Sequence, residues 1–85
     1  MMNYAPFIEN DTLYLPEITL NALIPHGLDL QTAATVRHGL TASDRELVML
    51  LVRALEEYRR YAPDSDIARQ IEPRQFEQIL RQAFA

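Results

Sequence analysis

The sequence predicts a mainly α-helical domain: a compact bundle of three to five helices with an irregular N-terminal arm. Three observations carry that expectation. Residues 44–62 and 73–84 each repeat their apolar positions at helical spacing. Only two glycines interrupt a chain that is 48% hydrophobic, which excludes a low-complexity tail. A chain of 85 residues leaves roughly 5,200 Å² exposed when folded against about 14,200 Å² unfolded, so about 64% is buried. That supports one thin core over residues 1–85 and excludes a second domain or a deep enclosed active site.

In chain order, residues 1–15 read as an extended arm, with one short strand or hairpin allowed near residues 4–15. The stretch 12–24 carries two signals. Leu13, Leu15, Ile18, Leu20, Ala22 and Ile24 alternate as strands do, whereas Pro16-Glu17 opens a helix. A short helix over 16–24 is the reading adopted. Asp29 then caps a helix over Leu30–His38 with Leu30, Ala33 and Ala34 inward, and Gly39 ends it with Leu40 as the contact beyond.

The strongest element is 44–62. Ser43 and Glu46 stand at capping-box spacing before it, and Pro63 stops it. Leu47, Leu51, Ala54, Leu55, Tyr58, Tyr61 and Ala62 share a face that Val48, Leu50 and Val52 widen to roughly 200°. Such a helix packs on more than one side. Pro63-Asp64-Ser65-Asp66 is a turn and cap signal, and Ile67, Ala68 and Ile71 suggest one or two helical turns. Pro73 suits a first helical position, after which Phe76, Ile79, Leu80, Ala83 and Phe84 make one apolar stripe over 73–84.

Charge and composition remove several functions. The net charge is −4, and residues 1–36 hold four acids and no basic side chain. The remaining acids are matched by eight arginines, and there is no lysine. Schiff-base chemistry and a P-loop are therefore excluded, and duplex DNA meets no cationic excess. Without cysteine there is no disulfide framework, thiol nucleophile or thiolate metal site. His26-Gly27-Leu28 and His38-Gly39-Leu40 echo each other as helix-ending turns rather than as a paired metal site, since neither histidine has a ligand partner at helical spacing. Glu56 and Glu57 point apart on a helix, and Asp64 and Asp66 flank a helix start. No catalytic residue, cofactor or metal is expected. No leader and no bilayer-spanning run is visible, the longest apolar run being Leu47 to Val52. The C-terminal helix, with Arg74 and Arg81 against Glu77, lacks a cationic face for lipids. A cytoplasmic protein is the expectation.

One resemblance is carried by motifs. Leu40-Thr41-Ala42-Ser43-Asp44-Arg45-Glu46-Leu47-Val48-Met49-Leu50-Leu51 is similar to the opening helix of LuxR-type helix-turn-helix domains. Asp66–Ile71 followed by Pro73-Arg74-Gln75-Phe76-Glu77 resembles a shortened form of their scaffold and recognition helices. The segment between them is a couple of residues short, and Gln75-Phe76 stands where that family carries Thr-Val. The resemblance implies a DNA-binding regulator, which is the alternative function.

The leading expectation is a protein–protein interaction module, a regulator, adaptor or chaperone-like factor that works by a helical surface. Met49 lies opposite the apolar face of 44–62, ringed by Arg45, Arg53, Glu56 and Arg60 with Val52 at the edge. Met49, Val52, Arg45 and Arg53, with Phe76 and Phe84 of the last helix, form the candidate interaction set. A protein partner is expected, with a homodimer on helix 44–62 or 73–84, because small domains bury little surface alone.

Overall fold

Asn10 and Asp11 both take positive φ, 52° and 60°, the pairing that a two-residue hairpin loop demands. In the computed structural model, which describes residues 3–82 and 84, this turn joins β1 (Phe7–Glu9) to β2 (Thr12–Tyr14). Five helices follow: α1 (Glu17–Leu23), α2 (Leu30–Arg37), α3 (Leu47–Tyr61), α4 (Asp66–Gln70) and α5 (Pro73–Gln82). The architecture is mainly helical with a short antiparallel hairpin, as the pattern predicts.

Within the arm, the hairpin allowed near residues 4–15 is present. β1 and β2 pair with Ile8 opposite Leu13. Leu13 and Leu40 then exchange backbone hydrogen bonds at 3.1 and 2.8 Å, stitching the hairpin to the segment after α2. Leu13 is fully buried there. The strand-like alternation of 12–24 thus belongs to β2 only as far as Tyr14. Beyond Pro16 the chain coils into α1, whose Thr19, Leu20 and Leu23 face inward.

Asp29 caps α2 by accepting from the Thr32 amide at 2.7 Å. That bond holds its carboxyl below the usual carboxylate range. The cap is therefore intact above the ordinary carboxylate pKa and is lost as pH falls through the lowered value. The inward residues of α2 are corrected: Ala33 and Val36 are buried, while Leu30 is 74% exposed and Ala34 is exposed. Leu30 occupies the first helical position, a turn before α2 meets the core. Gly39 has φ +89°, and a Cβ there would meet Thr12 Cγ2 at 2.5 Å. Gly39→Ala is expected to cost about 1–3 kcal/mol through left-handed strain and forced repacking of the hairpin. A thermal melt measures it; an unchanged midpoint would mean the hairpin yields freely.

The start of α3 is also corrected. The capping pair is Thr41 and Asp44 rather than Ser43 and Glu46, with Asp44 Oδ2 accepting from the Thr41 amide at 3.0 Å. The spacing is the same, two residues earlier, and it closes a 3-10 turn over Ala42–Asp44 before α3 begins at Leu47. On α3, Val48, Leu51, Val52, Ala54 and Leu55 are buried, whereas Leu50 and Tyr61 are exposed. The helix is packed broadly but not all round.

Ser65 caps α4, its hydroxyl oxygen accepting from the Ala68 amide at 3.2 Å. Pro73 opens α5, where its missing N–H costs nothing. α5 ends at Gln82, so Phe84 follows it in a turn, half-buried, and the expected inward position Ala83 lies outside the described residues. α5 runs antiparallel to α3. Near the end of α3, Arg59 donates to the carbonyls of Ala68 and, at 2.8 Å, of Ile71, just before α5. Before the start of α3, Arg45 donates to the Phe84 carbonyl at 3.0 Å, just after α5. The two arginines clasp the helix pair at its two ends. Leu13, Leu20, Leu23, Leu51, Leu55 and Leu80 join one core from hairpin to last helix. The Cα radius of gyration is 11.7 Å, against about 12 Å expected at this length.

Candidate functional site

Antiparallel packing brings the beginning of α3 to the end of α5, and there three of the predicted residues meet. Arg45, Val48, Arg81 and Phe84 line a notch of about 230 Å³. Met49 stands on its rim, 44% exposed, with its Sδ 3.9 Å from Nη2 of Arg81. Arg81 is held in place by Glu77, one turn back on α5, at 2.9 Å. The Arg45 guanidinium is placed by its bond to the Phe84 carbonyl. An apolar floor and two oriented guanidinium groups thus share a small concavity, with an adaptable thioether beside it.

The other predicted residues divide. Arg53 is exposed one turn along α3 from Met49. Val52 and Phe76 are corrected: they are 4% and 1% exposed and belong to the core. Val52 was placed at the edge of the charged strip by angle alone, but packing reaches past that edge. Phe76 is the inward anchor of α5. Arg81 was missed as a site residue, although its position four residues after Glu77 signals an ordered guanidinium. Its approach to Met49 spans 32 residues, which no local pattern encodes.

The remaining candidates occupy separate settings. The His26 ring meets Tyr58 edge-on at 5.5 Å and Tyr61 at 5.4 Å, while His38 closes the C-terminus of α2. Among the described residues no three His, Asp or Glu side chains converge in a metal-binding group. Glu57 pairs with Arg60 at 3.5 Å. Of the segments similar to helix-turn-helix domains, Leu40–Leu51 enters α3 only at Leu47, after the 3-10 turn, and the others fall on α4, which has five residues, and the start of α5. At the start of α5, Arg74 and Gln75 are exposed and Phe76 is not. No helix among the described residues is long and apolar enough to cross a membrane. The α3–α5 notch thus combines an apolar lining, from Val48 and Phe84, with the side chains of Arg45 and Arg81. No protein-family model, no curated protein and no solved structure matches this chain.

Proposed function

We propose that this protein is a small interaction module, of regulator or adaptor type, that self-associates or captures a protein partner through the α3–α5 notch. The observation that carries the reading is the exposed Met49 set between the notch and the charged strip of α3. Interfaces combine an apolar centre with a polar rim that sets register, and methionine adapts to varied partner surfaces. The rim here holds both signs: Arg45, Glu46, Arg53 and Glu56 are all exposed on α3 or just before it, so an antiparallel second copy meets opposite charges.

Met49→Glu tests the reading. The isolated chain is expected to keep its stability within about 0.5–1 kcal/mol, because the site is already in water. Sedimentation equilibrium at high micromolar concentration is expected to show a dimer for the parent chain and a monomer for the variant. A parent chain that stays monomeric and captures no protein, yet binds specific duplex DNA tighter than about 10⁻⁸ M at physiological salt, would replace this reading with the helix-turn-helix one.

A further inference from the structure

At the opposite end of α3 from Met49 lies a second groove, of about 300 Å³, lined by Tyr4, Ile18, Ala22, Tyr58, Asp66 and Ile67. Four separate pieces of chain build it: the N-terminal arm, α1, α3 and α4. Its two aromatic walls are held from behind. The Tyr4 carbonyl accepts from the buried Thr19 hydroxyl at 2.8 Å, and its amide donates to Gln70 Oε1 at 3.4 Å. The Tyr58 ring is braced edge-on by His26 at 5.5 Å. Ile67 is buried beneath, and Asp66 is the acid of the lining.

We propose that this groove is a recognition site for an arginine side chain presented by an extended segment of a partner protein. The chemistry follows from what each class of occupant leaves behind. A purely apolar plug would leave the Asp66 carboxylate, exposed at the rim, without a charge partner. An anion would meet the same carboxylate, and none of the six lining residues is basic. A guanidinium satisfies the carboxylate with its fork of donors, and its flat face and methylene stem suit tyrosine rings and the apolar floor. Asp66 forms no salt bridge with any described residue, and Arg59, next to Tyr58, is committed to the carbonyls of Ala68 and Ile71. The volume lies at the small end of ligand pockets, a side chain's worth of space. Ile18, 45% exposed at the rim, extends the apolar surface beyond the groove, where the segment bearing the arginine would lie.

The test is an NMR titration of the full chain with acetyl-Gly-Arg-Gly amide, with the citrulline peptide as its neutral isostere. Saturable shifts are expected at Tyr4, Ile18, Ala22, Tyr58 and Ile67, with the citrulline peptide binding at least about 5-fold more weakly. Asp66→Asn is expected to weaken the arginine peptide by a similar factor, and Tyr58→Phe, which keeps the ring face, to bind as the parent does. The amide shifts of α4 report whether Asp66→Asn preserves the helix. Equal binding of the two peptides, no effect of Asp66→Asn with α4 intact, or no shifts at high millimolar peptide would each overturn the proposal. So would concentration-dependent shifts of the same residues without peptide, which would assign the groove to a second copy. Tetramethylammonium binding as tightly as the peptide would assign it to quaternary ammonium groups instead. Because Met49 lies about 13 Å away along the helix axis, failure here leaves the α3–α5 reading standing, and the reverse.

Discussion

Phe76→Ala is expected to lower unfolding stability by about 3–5 kcal/mol, as the ring is lost and a cavity remains. Phe76 is 1% exposed and is the largest side chain by which α5 holds to the core, together with Leu80. α5 has ten residues, and an isolated helix under about 12–15 residues is marginal in water. Its helicity therefore depends on docking against α3. Urea denaturation followed by circular dichroism measures the loss, and hydrogen exchange should show the α5 amides among those that lose protection first. A loss below about 1 kcal/mol would place the ring at the surface, where its spacing alone allowed it to be.

The second large effect is expected at Leu51. It is fully buried at the middle of the inward face of α3, between Val48 and Leu55. Leu51→Ala should cost about 2–5 kcal/mol, out of a total of roughly 4–13 kcal/mol for a chain of this length. The melting temperature should fall by roughly 8 °C or more, read by calorimetry. Met49, two residues away, is expected to tolerate glutamate with almost no shift. Equal losses at the two positions would mean that α3 is buried all round and that Met49 serves the core.

Much of the fold was legible because helical periodicity reports which face of an element is apolar. α3, α5, the Asp29 cap and the Gly39 stop follow from local chemistry. Where local signals competed, the sequence was undecided: Thr41 with Asp44 and Ser43 with Glu46 have the same spacing, and only the 3-10 turn selects the first pair. Leu30 has the hydropathy of a core residue, yet its place in the first turn of α2 leaves it in water. The candidate site was half legible. Met49, Arg45 and Phe84 come together, but Val52 and Phe76 do not join them. An apolar residue at the edge of a stripe is claimed by whichever neighbour packs there, and that choice is tertiary. The same limit hid the arginine clasp. Arg59 reads as half of a solvated charge run, and its binding of the Ala68 and Ile71 carbonyls depends on how the chain returns after Pro63. The tyrosine groove was not visible at all, since Tyr4 and Tyr58 are joined by no repeat or spacing.

Association is expected to run through the Met49 surface. The chain has three methionines, Met1, Met2 and Met49, so selective 13C-methyl labelling yields a simple spectrum in which Met49→Leu identifies one signal. As concentration rises from low micromolar to millimolar, the Met49 methyl resonance is expected to shift or broaden in step with the growth in mass. A Met49 resonance that stays unchanged while the chain associates would contradict it and place the interface elsewhere.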